Sequence, residues 1–92
     1  MYRGSRRNGV TLASKEPVRV AVIFEPGKRL RPVWFEREHS KFTVKEITYF
    51  WWDHIGDKIQ MHFTVTDGET VCELVFSPSE STWKLSDLRP TL

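Results

Sequence analysis

Cysteine is almost missing from this 92-residue chain. Cys72 stands alone, which excludes an intrachain disulfide and a Cys-x-x-Cys metal knuckle. No run of about 18 apolar residues occurs, so the sequence offers no bilayer-spanning helix. The opening Met1-Tyr2-Arg3-Gly4-Ser5-Arg6-Arg7 also lacks the apolar stretch of a signal peptide. From these absences we expect a cytoplasmic protein with no membrane partner. The five glycines are dispersed, so no glycine-rich loop cradles phosphate. No segment repeats apolar residues at helical spacing, and no serine sits in a Gly-x-Ser-x-Gly turn. The length leaves room for one small domain and no surplus mass for a deep catalytic cleft.

What the chain does have is aromatic bulk and an uneven charge. Its six Phe, four Trp and two Tyr carry enough apolar surface to drive collapse, which argues against disorder. The net charge of +2 hides a division. Residues 1–31 hold eight basic side chains against two acidic ones, and the remainder holds six against ten. A cationic front segment is suited to phosphate, because counterion release then adds affinity. The same composition also describes a solvated terminus that keeps a protein soluble.

Turn signals recur about every ten residues between apolar runs, the spacing of an all-β protein. The reading divides the chain into a flexible basic N-terminal arm (1–15), one β domain (16–88) and a frayed tail (89–92). The first expected strand runs from Val18 to Phe24 and stops at Glu25-Pro26-Gly27-Lys28, a type II turn by residue type. The second spans Leu30 to Arg37, and Pro32 places its beginning on an edge or beside a bulge. The third runs from Phe42 to about Trp52. A bulge near Lys45-Glu46 would put Phe42, Val44, Ile47, Tyr49 and Trp51 on one face, leaving Phe50 and Trp52 on the other.

The fourth expected strand, Lys58 to Thr66, alternates cleanly: Ile59, Met61, Phe63 and Val65 point inward, opposite a wet face with His62. Asp67-Gly68 signals a hairpin. A fifth strand follows at Thr70–Phe76, then a short one at Ser81–Leu85. With no helix to cover a face, about six strands in a single antiparallel meander must curl to hide their apolar side. A small open barrel, SH3-like or of the oligonucleotide-binding (OB-like) type, is the expected architecture.

Chemistry is thinly signalled. His39, His54, His62 and Cys72 match no zinc spacing, so no metal site is expected, and no cofactor. Cys72 reads as a small buried hydrophobe. Asp53, His54 and Asp57 share one turn but are equally explained as turn formers, so we expect no catalytic residues and no enzyme. The surplus of aromatics on the third strand is the remaining signal. Phe50 and Trp52, with Trp34, would form an exposed patch where bases stack, while Arg29, Arg31 and Lys45 contact phosphate. The expected partner is single-stranded nucleic acid or a nucleic-acid-processing protein. The rival expectation is a protein-interaction or self-associating module, a monomer or weak homodimer, with these aromatics as its apolar interface.

The run Pro32-Val33-Trp34-Phe35, then Val44-Lys45-Glu46-Ile47 with Trp51, then His62-Phe63-x-Val65-x-Asp67-Gly68, Glu73-Leu74-x-Phe76 and Trp83-x-Leu85 resembles a group of small bacterial domains of unknown function. Some members are encoded near DNA-repair polymerases. The resemblance spans about residues 18 to 88 and rests on fold-keeping positions. It implies a β fold and a bacterial source, and no catalytic motif carries over from it.

Overall fold

A computed structural model describes the backbone of residues 10–90 and the side chains of residues 15–90. The described residues form seven strands in one antiparallel sheet: β1 (Val10–Ile23), β2 (Arg31–Arg37), β3 (Ser40–Thr43), β4 (Glu46–Ile55), β5 (Lys58–Thr66), β6 (Thr70–Ser77) and β7 (Thr82–Pro90). Their order across the sheet is β3-β2-β1-β7-β6-β5-β4. Two meanders, β1 to β3 and β4 to β7, are thus joined by the ladder between β1 and β7. Among the described residues no helix is long and apolar enough to cross a membrane.

The expected third strand is in fact β3 and β4, which lie at opposite edges of the sheet. Only Val44 and Lys45 separate them, so Thr43 and Glu46 are at most about 11 Å apart. The Val44 amide donates to the Val33 carbonyl of β2 at 3.0 Å, and the next amide, of Lys45, donates to Thr66 of β5 at 2.8 Å. Two consecutive residues therefore bond to opposite ends of one sheet, which must bend for both to be satisfied. No ladder joins β3 to β4, and the sheet is open.

The expected bulge lies elsewhere. The register of β4 on β5 shifts between Ile47 and Tyr49 rather than at Lys45-Glu46. With Thr48 as the extra residue, Ile47, Phe50 and Trp52 oppose Val65, Phe63 and Met61 on the inner face, and Tyr49 and Trp51 oppose Thr64 and His62 on the outer one. The two aromatic sets thereby exchange the faces expected of them. The reason is packing: rows such as Phe50-Phe63-Leu74-Leu85 continue across four strands, and only this phase adds Phe50 to the row.

Both chain ends of the domain also differ from expectation. β1 begins at Val10 and β7 ends at Pro90, paired from Val10↔Leu88 to Val18↔Trp83 across an irregularity between Thr11 and Glu16. Residues 10–15 therefore belong to a strand although they show no apolar alternation; within them Val10 and Thr11 pair with Leu88 and Asp87 of β7. Arg3, Arg6 and Arg7 of the expected arm lie outside the described residues. Pro32 lies on β2 beyond the last pair with β3, Trp34↔Thr43, and beside a bulge in which Val33 is the extra residue opposite Ala21 and Val22, the two settings its missing N–H allows.

The core is Phe35, Phe63, Val65, Cys72, Leu74 and Leu85, with Phe42, Ile47, Phe50, Phe76 and Trp83 packed around it. Turns close the strands as their residues direct. Lys28 N donates to Glu25 O at 3.0 Å with Gly27 at φ +76°, as a type II turn requires. Glu38 and His39 both carry positive φ between β2 and β3. At Asp67-Gly68 the Asp67 carboxylate accepts the amides of Glu69 and Thr70, each at 2.8 Å.

Two outcomes follow. Phe63→Ala removes a fully buried ring that touches Phe50 and Trp83, and should cost about 3 to 5 kcal/mol in urea unfolding. The hydrogen bond from Glu69, then that from Thr70 and the Lys45 charge, hold the Asp67 carboxyl below its ordinary value. A depressed native pKa contributes stability above the unfolded value and loses it as pH falls through the native one. Asp67→Asn keeps the acceptor oxygen but removes the proton linkage, so its unfolding curves should lose less stability than wild type below about pH 4.

Candidate binding groove

Strand direction gathers three turns at one end of the sheet: β1–β2, β4–β5 and β6–β7. The Lys58–Glu80 pair at 3.4 Å ties the last two together. At this end the inner face runs out beyond Phe63 into a groove of about 390 Å³ lined by Arg29, Phe50, Trp52, Ile59, Met61 and Pro78. Met61 lies opposite Trp52, and Ile59 opposite His54. These are the inner-face positions of β4 and β5 continued past the last covered row. The β1–β2 hairpin supplies the other wall, with the Arg29 guanidinium carbon 4.0 Å from the centre of the Phe50 ring.

Burial grades along the groove. Phe50 is half-buried against Phe63 (ring centres 5.0 Å apart), whereas Trp52 remains 55% exposed, its ring edge-on to His54 at 5.3 Å. Around the mouth, Phe24 (72%), Ile55 and Ile59 also face solvent. Lys28 and Arg31 each lie 3.9 Å from Glu25. Among the described residues Arg29 has no carboxylate partner, so its charge is held by a ring face instead.

The other expected site residues lie elsewhere. Trp34 sits on the outer face of β2, between Lys41 (Nζ 4.7 Å from the ring centre) and Arg19 (5.9 Å). Arg19 is in turn 3.6 Å from Glu36. Lys45 is at the opposite end, where its side chain lies beside Gly68. Seven residues of strand separate Lys45 from Trp52, about 23 Å. Arg29, Phe50 and Trp52 thus meet, Arg31 borders them, and Trp34 and Lys45 stand apart. Ile59, Met61 and Pro78 were not anticipated as lining residues. The alternation of β5 marks Ile59 and Met61 as inward, but nothing in the sequence shows that the core stops short of them.

The outer face holds a polar network the sequence reading also missed. Trp51 stacks on His62 at 3.6 Å with the rings nearly parallel. His62 Nδ1 lies 3.1 Å from Glu73, and Nε2 3.5 Å from Asp53. His62 is consequently only 7% exposed, not on a wet face. Ser86 Oγ donates to the other Glu73 oxygen at 3.2 Å. The carboxylate stands between serine and imidazole, so this imidazole cannot take the serine proton directly. Asp53 turns to His62, while His54 lies by Trp52, so the three turn residues Asp53, His54 and Asp57 do not converge. Among the described residues no group of His, Cys, Asp or Glu is arranged to hold a metal ion.

Comparison with protein-family models, curated proteins and solved structures returns no match.

Burial, with the charges of Asp67 and Asp87 adding to it, pushes the Cys72 thiol up to about 12. Thiolate is the reactive form. Native protein should therefore leave Cys72 unmodified by a thiol reagent at neutral pH, and denaturant should release one equivalent.

Proposed function

We propose that this chain is a non-enzymatic binding module that takes single-stranded nucleic acid at the mouth of its curled sheet. The convergence of Arg29, Phe50 and Trp52 in one open apolar groove carries the reading. A nucleotide presents a flat base and an anionic phosphate. The groove offers an exposed indole for the first and an acid-free guanidinium for the second. Lys28 and Arg31 can exchange Glu25 for phosphate at little cost, since exposed ion pairs contribute little. We read the sheet as a small open barrel, SH3-like or OB-like, because the Val44-Lys45 link draws its edges together. Barrel mouths are a common place for ligands. On this reading the protein acts in the bacterial cytoplasm, without metal or cofactor.

A protein partner is the competing reading, favoured by Phe24, Ile55 and Ile59 at the mouth. Salt separates the two. Tryptophan fluorescence titrated with a mixed-sequence single-stranded oligonucleotide should show binding that weakens steeply with added salt. Trp52→Ala should cost about 1 to 3 kcal/mol of binding, and Arg29→Ala should lower the salt slope by about one. No response at low salt would overturn the nucleic-acid reading.

A further inference from the structure

The two edges of the sheet are unlike. β3 is four residues long and carries Lys41, the short, charged form that discourages further pairing. β4 is ten residues long, Glu-Ile-Thr-Tyr-Phe-Trp-Trp-Asp-His-Ile, with no lysine, proline or glycine in it. Among the described residues it pairs only with β5, so one side of its backbone has no described strand beside it. Along that edge Tyr49 is 62% exposed, and Trp51 and Trp52 are also open to solvent. A long aromatic edge with no lysine or proline to block it, and with Glu46 and Asp53 as its acidic residues, is a template for another strand.

We propose that the strand it accepts is β4 of a second copy, paired antiparallel about a two-fold axis at Trp51. The self-complementarity of the segment argues for this occupant. A two-fold axis preserves sheet faces, so only residues of the same face may oppose each other. Inner-face Phe50 then meets the second copy's Trp52, and Trp51 meets Trp51. Asp53 meets Tyr49 on the outer face, and no like charges are opposed. The pairing ends before the Thr48 bulge, where the phase of β4 changes. A two-fold axis at Phe50 would run the pairing into that bulge, and one at Trp52 would set Asp53 against the indole of Trp51. The axis at Trp51 also joins the inner faces of the two copies beside their grooves, yet it requires no ligand and stands apart from the nucleic-acid reading.

Sedimentation velocity across a wide concentration range, on the full chain without nucleic acid, tests the pairing. Mass should rise toward twice that of one chain, and the amides of residues 49–53 should gain hydrogen-exchange protection as it does. Tyr49→Glu places an acid opposite Asp53 twice per dimer and should weaken association about tenfold or more. Tyr49→Lys places a base there and should leave association unchanged or tighter. A chain that stays monomeric to about millimolar concentration, on the weak limit of specific association, overturns the proposal. So does equal weakening by Glu and Lys, which would mean that the ring's apolar area matters and the register is wrong. Exchange protection in wild-type β4 decides the matter even if a variant fails to fold.

Discussion

Everything else in this fold depends on two adjacent amides that bond in opposite directions. Val44 belongs to the β2 end of the sheet and Lys45 to the β5 end. A flat seven-stranded sheet would hold these ends tens of ångströms apart, because each strand adds about 4.8 Å. The bend they impose lets one apolar face wrap on itself, so that Phe35 on β2 and Phe63 on β5 enter the same core. With no helix among the described residues, this is how they hide their aromatic surface.

The bend also explains where the candidate site sits. A curled sheet has an inside and two ends, and its inner rows must stop somewhere. Here they stop at Phe63 and Phe76, and of the next inner positions Met61 is left half-covered and Trp52 and Ile59 exposed. Arg29 reaches across from the first hairpin because the hairpin and β4 flank the gap between the edges. The opposite end is closed by polar turns, with the Asp67 carboxylate bound to its own backbone amides. Apolar exposure is thereby concentrated at one end and along one edge.

Local chemistry was legible in the sequence wherever a few neighbours decide the outcome. The Pro26-Gly27 turn, the Asp67-Gly68 hairpin and the inward parity of Phe63 and Val65 follow from residue type and period alone. The face of Phe50 was not legible, because one bulged residue reverses it and Thr48 carries no mark of being that residue. The break at Val44-Lys45 was hidden for a similar reason: the apolar pattern runs on while the hydrogen-bond partners change. The strand character of residues 10–15 and 89–90 was not legible because their partners are distant or carry no local mark: Val10 and Thr11 pair with Leu88 and Asp87, and Arg89 and Pro90 with Val71 and Thr70. Of the site, the types Arg, Phe and Trp were readable, while the separation of Trp34 and Lys45 from them required the topology.

The β1–β7 ladder has a consequence for how the protein is made. Val10 pairs with Leu88, so the strand that leaves the ribosome first among those described must wait for the last. The first three strands can form a meander early, but its inner face, with Val20, Phe35 and Phe42, has no opposing surface until β5 to β7 arrive. Closing so long a loop makes folding slow compared with forming the hairpins. During synthesis the exposed half-sheet is thus the species most open to misassociation.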